Sequence, residues 1–450
     1  MSDTFGKILI NHQNAMKFTD DKLSEKSNIK VADIQELKNG NIKPTIQQID
    51  RLANALGIRI KDLLPTESDT RNGIKITTSK DSENTRRLVN RQAVGRDSKL
   101  YYSYQDTALT INAPYVRGVI LDIFCLNDED IVQNEGHFQD SITFVTKGPI
   151  QGVWVDDNGK VVTKKLETGH SYFARGYAPH TYRSYSQDCI GQILSFTFCN
   201  ALAADTQSDL MMLGEERSAE HIKINSPYGN LIYWHINNSL HDIDSISEIT
   251  GIDKKTFIDI ENGKITPSFS QLEIIADALC ISVSEIMPTI TDTNYGTKHW
   301  TPKQSQSTKR EVKNENEDVI YEVCDLAKTT ELSNLRTHRI KVIQKDVENA
   351  KCDLSSNKHT MLFVYKGSGL LKWICNDEVY TTPIEEYDSI YIEPLVKYSI
   401  INTDEIDILH YLYPTNVTGD AMKELFYKGK NGAKRIANES MIWCAKQTEH

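Results

Sequence analysis

An internal repeat constrains the fold of this chain more than any other feature of its sequence. Residues 33–65, DIQELKNGNIKPTIQQIDRLANALGIRIKDLLP, return as residues 256–288, TFIDIENGKITPSFSQLEIIADALCISVSEIMP, with ten identical positions out of 33 and no gap. Apolar residues at Ile49, Leu52 and Leu56 follow the three- and four-residue spacing of an amphipathic helix. The repeat therefore predicts that one helical unit occurs twice.

A β-rich segment follows each helical unit. Alternating runs such as VRGVILDIF, SITFVTKG and QGVWVDD are separated by Gly, Asp and Asn, which are typical turn residues. Many short strands without long helices between them favour a small antiparallel barrel. The second segment repeats the layout, since TFVTKGPIQGVW aligns with LFVYKGSGLLKW.

Together these patterns predict the fold class α+β. Each helical unit resembles the helix-turn-helix domain of phage-repressor-like proteins. We therefore interpret the chain as a duplicated bidomain protein, each half being an all-α helix-turn-helix domain followed by an antiparallel β-barrel. The polar segment 290–317 is interpreted as a linker. The expected domains are a helix-turn-helix domain at 1–68, a barrel at 86–205, a second helix-turn-helix domain at 220–290, and a second barrel with a C-terminal extension at 318–450.

Charge and composition exclude several classes of protein. The 450 residues carry a formal net charge of −11, which argues against a protein that mainly coats nucleic acid. No run of residues is long and apolar enough to span a bilayer, and the N-terminus lacks the layout of a secretory signal. The eight cysteines are scattered without a CxxC pair, which is typical of reduced thiols in a cytosol. We therefore expect a soluble, cytoplasmic protein without a membrane partner.

Three residues of the first barrel have the spacing of a metal site. His137 and Gln139, in NEGHFQDSITFV, are two residues apart, so in a strand both side chains point to the same face. His180, in APHTY, follows a proline and begins a predicted strand. Two imidazoles and one oxygen donor suit non-heme Fe(II) and O2 chemistry. This spacing resembles that of cupin barrels.

The second barrel lacks the same residues. Ser356 and Lys358 stand where His137 and Gln139 stand in the first barrel. Because a lysine side chain repels a cation, we interpret the second barrel as a degenerate cupin that serves as a scaffold.

Longer stretches of the chain resemble one enzyme family. They are HQNAMKFT near the start, RDSKLYYSYQDT at 96–107, VILDIFCLNDEDIVQNEGHFQDSIT at 119–143 and GHSYFARGYAPHTYRS at 169–184. They are similar to the hydroxyethylphosphonate dioxygenase and methylphosphonate synthase family of non-heme iron enzymes. The resemblance implies an enzyme that uses Fe(II) and O2, without an external reductant, to cleave the C–C bond of 2-hydroxyethylphosphonate.

The resemblance also implies roles for individual residues. By position, Lys17 matches a lysine that reaches the active site from the first helical domain, and Arg96 and Tyr104 match a pair that holds the phosphonate. Asn134 and, more weakly, Ser195 match further substrate contacts, and Lys17 and Tyr104 are the expected catalytic residues. An Arg fork, a Lys charge and neutral donors suit a dianionic phosphonate. In the second repeat, Leu240 occupies the place of Lys17.

The third metal ligand decides which member of the family the chain resembles most. Dioxygenase members supply a glutamate six residues before the last histidine, and that position here is Ala174. Synthase members resemble this chain in lacking it and use two histidines and a glutamine. The resemblance thus implies His137, Gln139 and His180 as metal ligands and methylphosphonate and bicarbonate as products. Glu135 has the same parity and remains a rival ligand, and the dioxygenase products hydroxymethylphosphonate and formate remain the alternative.

The sequence disfavours two other classes of function. A transcriptional regulator with a ligand-sensing barrel is the commonest use of repressor-like units. However, residues 226–288 hold three Lys or Arg and nine Asp or Glu, which disfavours binding to phosphates. An epoxidase of the same broader group would carry a glutamate four residues after His137, where this chain has Ser141. Because tandem barrels often pair, we expect a homo-oligomer, and we expect no nucleic-acid partner.

Overall fold

The computed structural model divides the described residues into two compact units, one of residues 2–70 together with 415–437, and one within residues 71–414. Among the helices that the structure describes, none is long and apolar enough to cross a membrane. The described residues are 2–156, 159–199, 201–294 and 296–437.

The first helical unit lies at the N-terminus. Its last long helix, α4, begins at a capping box in which Thr45 and Gln48 satisfy each other's backbone N–H groups, and it ends at Gly57 in the left-handed conformation. Its apolar face, with Ile49 and Leu52, is buried in the core of the unit. The helices are α1 (Ser2–Ala15), α2 (Asp20–Ser27), α3 (Val31–Lys38) and α4 (Ile46–Leu56).

The second helical unit has the same local conformation at matching positions. The helices of this stretch are α6 (Asp205–Leu213), α7 (Glu215–Ala219), α8 (Pro227–Asn238), α9 (Ile243–Thr250), α10 (Lys254–Glu261) and α11 (Phe269–Ala278). Left-handed residues occur in pairs 223 positions apart: Lys17 and Leu240, Asn28 and Gly251, Gly40 and Gly263, Gly57 and Cys280. The offset of 223 positions that relates the two copies of the sequence repeat therefore also relates the turns between their helices. The duplicated origin of the chain stays an interpretation.

The first barrel consists of antiparallel strands in two sheets. One sheet has the order β11-β8-β5-β10-β4-β3-β2 and the other the order β7-β6-β9. The strands, with the short helix α5 (Ser79–Asn84) before them, are β2 (Arg87–Arg91), β3 (Lys99–Asp106), β4 (Val116–Ile123), β5 (Asp140–Lys147), β6 (Ile150–Val155), β7 (Val161–Leu166), β8 (Ser171–Ala174), β9 (His180–Ser184), β10 (Gly191–Phe198) and β11 (Thr297–Trp300).

The second barrel is built on two long strands that pair with each other along most of their length. Its sheet has the order β1-β17-β15-β18-β14-β13-β12, and β16 pairs with β15. The elements are β1 (Ile74–Thr77), α12 (Pro302–Gln306), β12 (Arg310–Lys313), β13 (Val319–Asp325), β14 (Arg336–Val342), β15 (His359–Cys375), β16 (Glu378–Ile384), β17 (Ser389–Ile392) and β18 (Lys397–Tyr413).

The two barrels exchange a short strand with each other. Strand β1 precedes the first barrel in the chain but pairs with β17 of the second barrel. Strand β11 precedes the second barrel but pairs with β8 of the first. The interpretation of 290–317 as a linker is therefore wrong, because this segment holds β11, α12 and β12. The strand TKHW has only four residues, which is too short to show a clear alternation of apolar and polar residues. Because its partner lies more than 100 residues earlier in the chain, the pairing could not be predicted from the sequence.

The outer faces of the barrels pack against each other in one apolar cluster that includes Phe144 and Phe196 from the first barrel and Tyr411 from the second. Reciprocal hydrogen bonds tie the edges: the Ala108 N–H donates to Ser389 Oγ at 2.7 Å, and the Ala327 N–H donates to Ser171 Oγ at 2.8 Å. In addition, each barrel has a cluster of buried apolar residues in its own interior. The two barrels are thereby joined by both apolar packing and hydrogen bonds.

The α+β class is confirmed, with helical units and antiparallel barrels in one chain. The C-terminal extension contains α13 (Gly419–Ala437), which belongs to the first compact unit, whereas the last strand of the second barrel ends at Tyr413. Residues 438–450 lie outside the described residues. The predicted domain boundaries stay predictions.

Candidate metal centre

His137 lies in a loop and not in a strand, contrary to the sequence prediction. Strand β5 begins only at Asp140. Before it, Gly136 adopts a φ of 81°, and its N–H donates to Asn134 Oδ1 at 3.1 Å, which turns the chain out of the extended conformation. The His137 N–H donates to the Gly176 carbonyl at 2.6 Å. The loop is therefore held against the turn that precedes β9.

His180 begins strand β9, as the sequence predicts. Its Nδ1 lies 2.8 Å from the carbonyl oxygen of Ala178. Because a carbonyl oxygen only accepts, Nδ1 carries the proton and Nε2 keeps a lone pair. This tautomer is the one in which a histidine binds a metal ion through Nε2 while its other nitrogen is fixed by the backbone.

The two histidines lie side by side in the first barrel. Their ring centroids are 5.2 Å apart and the rings are nearly perpendicular, at 85°. Two imidazoles that share one ion at metal–nitrogen distances of about 2.1 Å have centroids roughly 5 Å apart. The distance therefore fits a shared metal ion.

Both imidazoles are held neutral, as metal ligands must be. Burial lowers the pKa of His137, and the backbone of Gln139 opposes this only in part. Burial lowers the pKa of His180 to about 4, with further lowering by His137 and Arg91. Deprotonated ring nitrogens are thus available at neutral pH.

Two further observations support a ligand at this pair. The Nδ1 of His137 is buried and has no hydrogen-bond partner among the described residues. A Cβ on Gly176 would come within 2.3 Å of that Nδ1 and 1.8 Å of the Gln139 carbonyl oxygen. Buried polar atoms are normally satisfied, so an unpaired ring nitrogen in a tightly fitted loop is what a metal-binding site requires.

The candidates for a third protein ligand differ in their surroundings. Ser141 and Thr143 on β5 are buried, and Gln139, which is half-buried, lies two residues before Ser141. The rival Glu135 is exposed. Within the described part of the chain, no three His, Cys, Asp or Glu side chains are grouped as a metal site needs. A carboxylate therefore does not complete the histidine pair in this arrangement.

Ala174 lies in the interior cluster of the first barrel and is 5% exposed. It faces Ser141 across the pairing of β5 and β8, and the Ser141 hydroxyl lies 3.5 Å from the Ala174 carbonyl oxygen. The place that a carboxylate six residues before His180 would occupy therefore holds only a methyl group.

Asn134 links the two histidine segments. Its Oδ1 accepts the N–H groups of both Gly136 and His180, the latter at 2.8 Å. Its Nδ2 lies 3.1 Å from His180 Nε2, and its own N–H donates to the His180 carbonyl at 3.1 Å. The residue predicted as a substrate contact thus adjoins the nitrogen that would bind the metal.

Arg96, which the resemblance predicts to hold the phosphonate, has an exposed side chain, and its role stays a prediction. It occupies the exposed connection between β2 and β3, where its guanidinium lies 3.4 Å from Asp130 Oδ1. That carboxylate also pairs with Lys99 at 2.8 Å. The Arg96 side chain is therefore exposed and engaged with a carboxylate in this arrangement.

Arg91 is the arginine that approaches the site, and the sequence prediction missed it. Its guanidinium lies 4.9 and 5.0 Å from the ring centroids of Tyr101 and Tyr102, and it donates to the Val132 carbonyl at 2.5 Å. Its charge lowers the pKa of His180. The alternation of β2 was an available signal, because Val89 packs against the barrel interior and Arg91 has the same parity.

Tyr104 and Ser195 both lie on strands that face the interior of the first barrel. Tyr104 packs against the interior cluster; burial raises its pKa, while the charges of Arg91 and Arg87 oppose the rise. Ser195 Oγ lies 2.9 Å from Thr143 Oγ1. Both positions are therefore compatible with contact to a molecule in the barrel.

A pair of buried tyrosines extends this polar lining. The Tyr172 hydroxyl donates to the Tyr182 hydroxyl, and the Tyr182 ring lies 6.3 Å from the His180 ring. Burial raises the pKa of both phenols, which are therefore protonated donors. Neither residue is among those predicted from the sequence.

Lys17 belongs to the other compact unit. It follows helix α1 in the left-handed conformation, with a φ of 57°, and is exposed. Its role stays a prediction.

Comparisons with known proteins were made on both sequence and structure. The family model of the 2-hydroxyethylphosphonate dioxygenase cupin-like domain matches residues 84–198, and that of the Cro/C1-type HTH DNA-binding domain matches residues 12–69. The chain is 25% identical to methylphosphonate synthase of Nitrosopumilus maritimus over 450 residues, 96% of this chain and 93% of that protein. It is 23% identical to 2-hydroxyethylphosphonate dioxygenase of Streptomyces viridochromogenes, over 87% of each.

A solved structure shares the fold over nearly the whole chain. It is that of Streptomyces albus HEPD with substrate 2-hydroxyethylphosphonate and Fe(II) bound. The TM-score is 0.88 at 21% identity, with 98% of this chain and 99% of that chain covered.

Proposed function

This chain belongs to the non-heme iron enzyme family of methylphosphonate synthase and 2-hydroxyethylphosphonate dioxygenase, and we propose that it cleaves the C–C bond of 2-hydroxyethylphosphonate to methylphosphonate and bicarbonate. Fe(II) is its cofactor. The overall change consumes one O2 and leaves one proton. All four electrons that reduce O2 come from the substrate carbon that becomes bicarbonate, so no external reductant is needed.

The proposal that methylphosphonate is the product depends on one observation about the metal ligands. The first barrel holds two neutral histidines, but its interior position 174 is an alanine, and among the described residues no carboxylate joins the pair. A half-buried glutamine, Gln139, lies just before β5 instead. This supports a site of two histidines and one neutral amide, as opposed to one completed by a glutamate.

The metal would be held by His137, His180 and Gln139. When bound, Fe(II) supplies the centre at which O2 is activated. A neutral amide leaves one negative charge less on the ion than a carboxylate does, so the ion holds a dianionic substrate more strongly.

The protein's own side chains would bind and orient the phosphonate. Arg91 supplies a fixed positive charge beside His180, and Asn134 Nδ2 supplies a donor next to the same ring. Tyr104 and Ser195 supply neutral donors from β3 and β10. Lys17 is proposed to add a charge from the first helical unit. The expected homo-oligomer stays a prediction.

The experiment is turnover after anaerobic loading with Fe(II). Substrate and O2 are added, and the products are read by phosphorus NMR, with metal-free protein and a His180→Ala variant as controls. A methylphosphonate signal in stoichiometric yield with bicarbonate is the expected result. A hydroxymethylphosphonate signal with formate would assign the chain to the dioxygenases.

A third possible outcome is that the protein binds iron but does not act on the phosphonate. If iron binds but the phosphonate is not turned over, the proposed substrate is wrong. In that case the Cro/C1-type match makes duplex DNA binding the next property to measure. Salt-sensitive nanomolar affinity would support it.

A further inference from the structure

A cavity opens along the seam between the two sheets of the first barrel. It has a volume of about 310 Å³. Strand β7 ends one sheet and β11 ends the other, and the cavity lies between these two edge strands. At about 30 Å³ for each water molecule, the space suits a molecule of roughly ten non-hydrogen atoms. Its lining includes Trp154, Lys164, Asp292, Asn294, Lys298 and His299.

Two ring nitrogens in this lining lack hydrogen bonds. Trp154 Nε1 and His299 Nδ1 are buried and have no partner among the described residues. Trp154 is 3% exposed, and its ring centroid lies 5.1 Å from that of His299. An indole N–H can only donate, so a buried one without an acceptor is costly unless a bound molecule supplies the acceptor.

The charges of the lining favour an anion. Asp292 is fully engaged, since it pairs with Lys298 and accepts from Thr329 Oγ1 and the Thr330 N–H. Although burial alone would raise its pKa, these donors lower the pKa of Asp292 to about 2, so it stays ionised. Lys164 makes no ion pair with any residue of the described chain. Two ammonium groups against one carboxylate leave one net positive charge.

Size and polarity narrow the class of anion. A dianionic phosphate would keep one unpaired negative charge in this lining, whereas a single carboxylate would be balanced. The walls also present apolar surface from Val162 and the rings of Trp154 and His299. Burial lowers the pKa of His299 to about 3, with help from Lys164 and His170, so this ring is neutral and adds no charge.

We propose that the seam cavity binds a small monoanionic carboxylate. The Lys164 ammonium and the Trp154 indole N–H hold the carboxylate oxygens, and the two aromatic rings pack against the rest of the molecule. The site is separate from the histidine pair but adjoins it. Trp154 faces His180 in the pairing of β6 and β9, and the Tyr172 ring lies 5.2 Å from the His299 ring.

The test measures binding of sodium benzoate to the full-length protein by calorimetry, with no turnover required. Lys164→Gln removes the charge, and Trp154→Phe removes the N–H but keeps an aromatic ring. Lys165→Gln is the matched control. It changes the same charge on the same strand, but its side chain points to the opposite face and pairs with Glu167. Benzamide is the neutral analogue of the probe.

The expected result is a Kd for benzoate that rises about tenfold or more in Lys164→Gln and several-fold in Trp154→Phe. The Lys165→Gln variant should bind as the wild type does, and benzamide should bind far more weakly. Since Trp154 is buried, circular dichroism must first show that its variant is folded; Lys164 is exposed and its variant decides the question alone.

Three results would overturn the proposal. These are benzoate binding that is undetectable at tens of millimolar, an equal loss in the Lys164→Gln and Lys165→Gln variants, or benzamide binding as tight as benzoate binding. Displacement of benzoate by 2-hydroxyethylphosphonate with no effect of Lys164→Gln would place the anion at the histidine pair instead. None of these readouts depends on the proposed reaction.

Discussion

The Oδ1 atom of Asn134 lies 2.8 Å from the backbone nitrogen of His180 and 3.1 Å from that of Gly136. One side-chain oxygen therefore joins the loop of His137 to the strand of His180. The Nδ2 atom of the same amide faces the His180 ring. The two ends of this side chain have separable roles, one in positioning the histidines and one towards the substrate.

Substitution of Asn134 separates these roles. Asn134→Ala leaves two backbone N–H groups without an acceptor, so Fe(II) affinity should fall by about tenfold or more. Asn134→Asp keeps the acceptor and should keep most of the metal affinity. Its negative charge should raise KM for the phosphonate instead. Anaerobic Fe(II) titration and steady-state kinetics measure the two effects. Equal loss of metal by both variants would show that the acceptor role is not the important one.

Substitution of Gly176 tests how closely the loop that contains His137 is packed against the turn before β9. A Cβ there would overlap the Gln139 carbonyl and the His137 ring, so Gly176→Ala should lower Fe(II) affinity by at least about tenfold. Gly159→Ala is the control, since its Cβ meets nothing within 4 Å and only its φ of 76° is strained. That variant should lose about 1 kcal/mol of stability and no metal affinity. Normal iron binding by Gly176→Ala would contradict the described loop.

Arg91 and Arg96 make a matched pair for substrate binding. Arg91→Lys keeps the charge but loses the planar fork, so KM should rise about tenfold while Fe(II) affinity is retained. Arg96→Lys should leave KM within about twofold, because Arg96 is exposed and lies beside Asp130. Steady-state kinetics on both variants gives the comparison. The opposite order of effects would support Arg96, and not Arg91, as the phosphonate-binding residue.

We expect the second barrel to make the stability of the chain depend on pH. The Nδ1 atoms of His338 and His410 lie 3.0 Å apart inside it, and the Tyr398 hydroxyl lies 2.9 Å from His410 Nε2. Burial lowers the pKa of His338 to about 4 and that of His410 to about 3. Both titrate near 6.5 in an unfolded chain, so below that pH the unfolded state binds more protons.

The stabilising contribution is therefore complete above about pH 6.5 and is lost as the pH falls towards 4. We expect the free energy of unfolding to drop by roughly 2 kcal/mol per histidine between about pH 6.5 and pH 5. Denaturant unfolding across this range measures it, and His338→Gln should flatten the dependence. Histidine NMR gives an independent check, because titration of either ring near 6.5 would refute the account.

Much of the fold was predictable because it depends on patterns that are local or repeated. The amphipathic spacing of Ile49, Leu52 and Leu56 predicted a buried helix face, and those residues are buried. His180 starts a strand, as its position after a proline suggested. These features depend on neighbours in the sequence, which the sequence displays directly.

The site was less predictable because its geometry depends on contacts between distant segments. The spacing in NEGHFQDSITFV predicts a strand, because no local signal shows that Gly136 turns the chain or that the Gly176 carbonyl accepts the His137 N–H. The resemblance predicts Arg96 as a phosphonate contact, whereas Arg91, which it does not mark, is the arginine whose charge lowers the pKa of His180. The β11 segment, TKHW, was missed since its pairing partner comes from the other half of the chain.

The most direct test of the metal centre is a comparison of Fe(II) affinity between Gln139→Ala and Glu135→Ala, by anaerobic titration against a competing chelator. We predict that the wild type binds one Fe(II) per chain, that Gln139→Ala loses at least about tenfold in affinity, and that Glu135→Ala, which changes an exposed side chain, loses none. Retained affinity in Gln139→Ala together with a loss in Glu135→Ala would contradict the amide site and make a carboxylate the third ligand.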